Sequence, residues 1–489
     1  MSSLWGCRWG DHREARAVVG SAPDWDALQR GISGQLVRPG DDAYQRARTP
    51  FIAWFDDPEP QAVVRCAAPE DVAEVIGFAR RQGIDIAARS GGHCFAGYSS
   101  TRGVVIDVTP MSSVVVADGV AEVGAGTRLG DLYERLLDHG LTIPAGTCPS
   151  VGIGGLTLGG GHGILGRRYG LTLDHLLAAR VVLADGRVVD CDEQHHAELF
   201  WALRGAGAGN FGVVTSFTFQ LRPAAGMSNF HLAWSYGQAA AVIAAWQRWA
   251  PQGPDELAAE LVLTGPGDPS AEPTVELYGT ALGTLGDAGE LLERLIPLVG
   301  ADPRSQVCTE LSYRDTIRYQ AAPSASGRPA QPPPGRPSRW RRRFTKSEFF
   351  DRPLPAQAIT ALVAGLADRR APGQDRSVEF TPWGGAYRRR SPQATAFAHR
   401  QHRFLLEHLV VVAPWASAAE QRAAHRWVRR SWACVHPWGS GGVYPNFPDP
   451  ELADSARAYY GDNYARLRKV TAKYDPDAAF RFNQEPRTR

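Results

Sequence analysis

Two stretches of the chain carry glycine too densely for packing alone to explain. The run Arg89-Ser90-Gly91-Gly92-His93 directly follows a strand-like segment. A glycine pair there lets the backbone turn tightly and present successive amide N–H groups, which suits a pyrophosphate. A plain turn is the competing reading. The second stretch, GTCPSVGIGGLTLGGGHG from Gly146 to Gly163, asks for something flat or anionic lying close to the backbone. Neither is a phosphate loop or a dinucleotide fingerprint, since no Gly-x-Gly-x-x-Gly opens a helix with an acid downstream and no Gly-Lys-Ser/Thr occurs. Nicotinamide and nucleoside triphosphates are therefore poor candidates. His93 sits inside the first stretch and Cys148 inside the second; alone, each reads as a satisfied surface or core residue or a buried small one.

The elements that must hold these loops read as α+β. Ala62 to Cys66 patterns as a strand, and Pro69 to Arg81 as a helix with Pro at its start, Val72, Val75, Ile76 and Ala79 on one face and Gly83 past its end. Short strands follow at 84–89, 104–108, 114–117 and 120–124, then a helix over 128–139. The pair 176–184 and 187–190 reads as a hairpin around Asp185-Gly186, a favoured type I′ dipeptide, and 213–221 as a final strand. From about Ala224 the glycine clusters stop. Amphipathic helices at 238–249, 286–298 and 416–434 then alternate with strands such as 257–263 and 377–383, a second α+β unit. Between Ala321 and Arg343 a Pro- and Arg-rich run is expected to be irregular, a solvated basic loop rather than an anion clamp.

Composition narrows the class. Lys+Arg 53 against Asp+Glu 51 leaves a net charge of +2, with 44% hydrophobic and 21% charged residues, an ordinary globular balance that argues against disorder and a nucleic-acid partner. Seven cysteines without regular spacing do not form a disulfide framework. No signal-peptide core and no run near the ~18 apolar residues of a membrane span is present, so a cytoplasmic protein without membrane contact is expected. The Arg- and Ala-rich, Lys-poor composition suits a bacterial secondary-metabolism enzyme, one of antibiotic biosynthesis for instance.

Four segments in order, RSGGHCFAGYSS (Arg89 to Ser100), GTCPSVGIGGLTLGGG (Gly146 to Gly161), LFWALRGAGAGNFGVVTSF (Leu199 to Phe217) and YYGDNYARLRKVTAKYDPDAAFRFNQ (Tyr459 to Gln484), resemble the berberine bridge enzyme-like FAD-linked oxidases of the vanillyl-alcohol oxidase type. The resemblance runs from about Arg38 to Gln484 and is loose in the middle. It implies an α+β fold: a two-part FAD-binding domain of PCMH type, residues 1–222 and 436–489, with an inserted α+β substrate domain, 223–435, whose antiparallel sheet roofs the flavin.

The same resemblance implies FAD attached twice, through its 8α-methyl carbon to His93 and through C6 to Cys148. It implies cofactor contacts from Arg89, Ser90, Gly91, Gly92, Gly97, Ser99, Val151, Gly152, Gly154, Gly155, Gly159, Gly160, Gly163, Asn210, Gly212, Val214 and Asn446, with no part assigned to Thr147; Cys94 is expected to be structural. Leu156 stands where many plant members have His, which warns against carrying over plant substrates. Val151, where plant members differ in oxygen use, leaves room for dioxygen. Tyr444, in a Y-x-N motif, is implied as the base that takes a proton while hydride leaves for flavin N5. A neighbour must then depress its pKa, and Glu379 and Tyr387 are the candidate partners. The expected activity is an oxidase that turns over a small natural-product or sugar-like substrate with dioxygen and yields hydrogen peroxide. Oxidative cyclisation or dehydrogenation of a secondary metabolite, and an inert flavin-binding protein, stay open, as does the oligomeric state.

Overall fold

Strands buried on both faces read as unbroken apolar runs, and AVVR at Ala62–Arg65 and VVID at Val104–Asp107 form the parallel heart of a four-stranded sheet. The computed structural model describes residues 22–52, 58–207, 209–321, 342–413, 415–481, 484 and 486. In that sheet the order is Gln35–Val37, Ala62–Arg65, Val104–Asp107, Ile86–Arg89. The crossover helix Pro69–Gln82 buries Val72, Val75 and Ile76 and stops at Gly83, whose φ of +65° favours glycine. Asp71, in its first turn, is buried but accepts the amides of Ser33, Gly34 and Ala67.

A five-stranded antiparallel sheet follows, ordered Val114–Ala117, Val120–Gly124, Val213–Gln220, Leu176–Val182, Val188–Cys191. The hairpin at Asp185-Gly186 forms, but its turn is not type I′. The pair Leu183 and Arg187 closes a three-residue loop in which only Gly186 has positive φ, so a type I turn ends in a glycine bulge. The left-handed pair belongs instead to Asp118 (φ +51°) and Gly119 (φ +73°), between Ala117 and Val120. Leu467, Val470 and Tyr474 of the C-terminal helix Tyr464–Tyr474 pack into the same core as these N-terminal strands, so both chain ends build one unit.

The middle of the chain forms a seven-stranded antiparallel sheet ordered Ser305–Leu311, Met227–Trp234, Thr274–Leu282, Leu257–Gly265, Gln374–Pro382, Phe404–Val412, Arg342–Phe350. One face carries Leu232, Leu261, Leu277, Phe380 and Leu406 onto a helical layer that includes Trp246 and Leu362. Alternation sends Glu379, Glu407 and Phe349 to the other face. There Phe349 and Leu405 join Trp383, Tyr387, Phe397 and Tyr444, with Leu171 and Leu173 of the first unit, in a small separate core. Two arginines fasten the units together. Arg400, fully buried, grips Asp174 with both Nη atoms at 2.8 and 2.9 Å, and Arg167 donates to the carbonyls of Trp383 and Gly253.

Most of the Pro- and Arg-rich run lies outside the described residues. Its last two arginines, Arg342 and Arg343, are not irregular but open the strand Arg342–Phe350, paired with Val412 and Val411. Among the described residues no helix is long and apolar enough to cross a membrane.

Candidate active site

The two glycine stretches meet backbone to backbone. A Cβ on Gly91 would lie 2.2 Å from the Gly152 amide nitrogen, and one on Gly152 would lie 2.1 Å from Ser90 Oγ; only glycine permits this approach. The segment from Pro149 to Ile153 is in turn clamped along Thr127–Gly130 by three backbone bonds of 2.9 Å, Gly130 N to Pro149 O, Leu129 N to Val151 O and Ile153 N to Thr127 O.

That contact brings His93 and Cys148 to one small residue. Ser150 Oγ stands 3.1 Å from His93 Nε2 and 3.4 Å from Cys148 Sγ. Phe51 stacks on the His93 ring, with centroids 3.8 Å apart and planes 16° from parallel. Burial, with Arg343 and Arg128 nearby, pushes the His93 pKa down to about 3, so the imidazole is neutral and one ring nitrogen keeps a lone pair. Val151 follows, half-buried, its amide donating to Cys148 O. Cys94, beside His93, is sequestered. Burial pushes its thiol up against the opposing pull of the Ala96 to Ser99 amides.

Tyr444 lies under the next part of the glycine run. Its Oη accepts the amides of Gly161 at 2.8 Å and His162 at 3.3 Å and the side-chain amide of Asn446 at 3.1 Å. Asn446 also donates to Leu156 O, at the helix Ile153–Gly159, at 2.9 Å. The consecutive glycines follow from this packing: a Cβ on Gly160 (φ +138°) would sit 2.9 Å from Tyr444 Cε2, and one on Gly159 2.1 Å from Asn446 Oδ1. Burial raises the Tyr444 pKa above the ordinary tyrosine value, and the three N–H donors offset part of that rise.

This corrects the expectation that a neighbour holds Tyr444 below its usual range. Among the described residues its hydrogen-bond partners are the three N–H donors, and neither Glu379 nor Tyr387 is one of them. Tyr387 stacks on Trp383 with centroids 4.2 Å apart and points its hydroxyl at Gly163 O, 3.5 Å away. Burial lifts its own pKa well above that of free tyrosine. Glu379 is buried on the face of the seven-stranded sheet that carries Phe349, directly opposite Glu407 in register and within 3.4 Å of Ser377 Oγ. His162, Phe349, Trp383 and Phe397 complete an aromatic wall around Tyr444.

The remaining residues singled out by the motifs lie in or beside these loops. Arg89 is buried and ties down three carbonyls, those of Ser99, Ala47 and Arg48. Ser90 donates to Ala125 O, Gly92 O accepts the Phe51 amide, and Gly97 turns with φ +77°. Added Cβ atoms would strike Ala125 O from Gly154, Ala145 O from Gly163 and Val181 from Gly212, whereas nothing lies within 4 Å of one on Gly155. Asn210 and Val214 are buried where the strand Val213–Gln220 begins. The hydroxyls of Ser99 and Ser100 and Asn210 Oδ1 are sequestered with no hydrogen-bond partner among the described residues. Orphaned polar atoms, bare backbone and open space over Gly155 together fit a long, polar, phosphate-bearing cofactor with a flat ring system, as FAD is.

Ser150 and His162 are the residues that motif reading overlooked. The signal for Ser150 was a hydroxyl in an otherwise apolar loop, two residues past Cys148.

The comparisons agree with this geometry. A family model for an FAD binding domain matches residues 60–192, and one described as berberine and berberine like matches residues 443–485. The chain is 32% identical over 462 residues to an uncharacterized FAD-linked oxidoreductase, YgaK, of Bacillus subtilis, covering 93% of this chain and 96% of the relative. It is 30% identical over 450 residues to a chitooligosaccharide oxidase of Gibberella zeae, 87% of each chain. Among solved structures, Physcomitrella patens BBE-like 1 superposes with a TM-score of 0.83 at 28% identity, over 95% of this chain and 98% of that one.

Proposed function

The chain belongs to the berberine bridge enzyme-like FAD-linked oxidoreductases, and on that premise we propose an oxidase whose FAD is held by links to both His93 and Cys148, with Tyr444 taking a proton from a small hydroxyl-bearing substrate. The observation that carries this reading is the convergence of three N–H donors on one buried phenol oxygen. N–H donors favour the phenolate over the phenol, and among the described residues no acceptor for a phenol O–H accompanies them. The donors thus offset part of the burial penalty on the phenolate, the form a general base requires.

The chemistry FAD supplies when bound is two-electron oxidation, with dioxygen as final acceptor and hydrogen peroxide as product. Tyr444 holds and accepts the proton at Oη. The wall of Phe349, Trp383 and Phe397 excludes water and offers flat faces to the substrate, while the polar sheet face with Glu379 and Glu407 orients its hydroxyls. Val151, beside Cys148, is the small residue that dioxygen access needs. The chitooligosaccharide oxidase among the relatives supports a sugar-like substrate. The reading divides the chain into 1–222 with 436–489 around the cofactor and 223–435 over the substrate, supported by the separate core beneath the seven-stranded sheet.

A screen of sugars, alcohols and phenolic metabolites under anaerobic conditions tests it. A substrate should bleach the flavin absorbance, and air should restore the colour with one peroxide per flavin. Reduced flavin that persists for minutes in air makes the protein a dehydrogenase instead.

A further inference from the structure

We propose that Ser150 is the positioning residue for both covalent links, holding His93 in the tautomer that leaves one nitrogen free and holding the Cys148 sulfur as the acceptor of its hydroxyl proton. This rests on the reading that His93 and Cys148 are the attachment points.

The geometry allows one hydroxyl two partners in a chain. If Ser150 Oγ accepts from His93 Nε2–H at 3.1 Å, its own hydrogen is left to donate to Cys148 Sγ at 3.4 Å. Nδ1 then carries a lone pair, and the sulfur is stabilised in its thiolate form, which is the nucleophilic one. The opposite polarity, from S–H through Ser150 to Nε2, protonates Nδ1 and leaves both atoms poor nucleophiles. The two polarities differ in which ring nitrogen carries its hydrogen and in whether the sulfur carries one, so the hydroxyl that favours the first over the second prepares both residues together. Burial keeps His93 neutral, as a nucleophilic imidazole must be. Phe51, stacked on the ring, prevents the flip that would exchange its two nitrogens.

Each link that forms costs the protein residue one hydrogen and the carbon it joins another. Dioxygen is the oxidant that takes up both, with their two electrons, as hydrogen peroxide. For His93 bonding through Nδ1, the hydrogen lost is the one on Nε2, and Ser150 is the group in contact with it. Pro149 and Val151 on either side of Ser150 are fixed by backbone bonds to Gly130 and Leu129, so the loop has anchors that do not involve the serine side chain.

The test compares wild type, Ser150→Ala, Ser150→Thr and Ser150→Val, each purified as the yellow holoprotein. Native absorbance reports bound FAD. Acid precipitation followed by mass analysis of the peptides reports flavin on His93 and on Cys148 separately. Wild type and Ser150→Thr should carry both links. Ser150→Ala and Ser150→Val should bind FAD but carry each link at about a tenth of that level or less, the scale of one hydrogen bond to a charged group. Threonine and valine have the same shape, so equal linkage in those two variants overturns the proposal even if alanine disturbs the fold. Loss of one link alone also overturns it, because the hydroxyl would then serve a single residue. Wild-type protein that releases all its FAD in acid would instead remove the attachment reading itself.

Discussion

The side-chain amide of Asn446 donates to the phenol oxygen of Tyr444 at 3.1 Å, from two residues further along the chain. Its other bond, to Leu156 O, fixes it to the middle of the glycine-rich helix, which holds the donor in place. A donor that binds the phenolate lowers the pKa of the phenol, and removing it raises the pKa further above the ordinary value. Asn446→Ala should therefore move the alkaline limb of the anaerobic flavin-reduction rate upward by about one to two pH units. Below the limb the rate at fixed pH should fall correspondingly. A limb that stays in place would show that the amide does not set the acidity of Tyr444.

Removing only the hydroxyl should be the larger change. Tyr444→Phe keeps the ring against Gly160 and within the aromatic wall, so fold and colour should persist. The rate of flavin reduction by substrate should drop about 10²- to 10⁴-fold, the usual contribution of a general base. Glu379→Gln and Tyr387→Phe, whose side chains do not touch that oxygen, should cost less and act mainly on KM. Stopped-flow reduction of all three variants decides, and a Tyr444→Phe rate within about threefold of wild type would pass the role to another group.

Attachment can be read from colour. His93 and Cys148 lie on either side of Ser150, so each should form its link without the other residue. His93→Ala and Cys148→Ala should each leave an acid-stable yellow pellet, and the double variant should release its flavin into the supernatant. Reverse-phase separation of the acid supernatants measures this, and a colourless pellet from either single variant would show that the residue left in place forms no link by itself.

The sequence disclosed what depends on local pattern. Apolar periodicity and glycine punctuation placed the crossover helix Pro69–Gln82, and the motifs placed His93, Cys148 and Tyr444. What it hid depends on contacts between distant segments. The meeting of Gly91 and Gly152 sets Ser150 between imidazole and thiol, and no spacing in either motif announces that. Position on the second unit points to Glu379 and Tyr387 as partners of Tyr444; the groups that reach its oxygen are two backbone amides of the glycine run and the side-chain amide of Asn446. Asp185-Gly186 misled because the dipeptide suits both a two-residue and a three-residue hairpin, and only the pairing of Leu183 with Arg187 chooses. Prolines before Arg341 likewise concealed that Arg342 begins a strand, since the residues that pack it, Phe344 and Phe350, come later.

Acid should weaken the unit built on the seven-stranded sheet through a histidine on its helical side. His408 is fully buried on the helical side of the seven-stranded sheet, with Ser431 Oγ 2.8 Å from its Nδ1. Burial, with Lys346 adding to it, pushes its pKa down to about 3, and His399 is pushed down to about 3 by burial with help from His402. The unfolded chain protonates these rings near the ordinary histidine value while the native one does not. Stability is therefore full above about pH 6.5 and falls as pH drops toward 3, by about 1.4 kcal/mol per pH unit for each ring. Between pH 7 and pH 5 carboxylates contribute little, because their unfolded values lie near ~4; Glu451, held at about 2 by His425 and Lys346, begins to act only as pH falls through about 4. Denaturant midpoints measured between pH 7 and pH 5 should decline in wild type, and His408→Gln, which cannot titrate, should decline less by about one ring's worth. Parallel declines would mean that His408 protonates in the native protein as readily as in the unfolded chain.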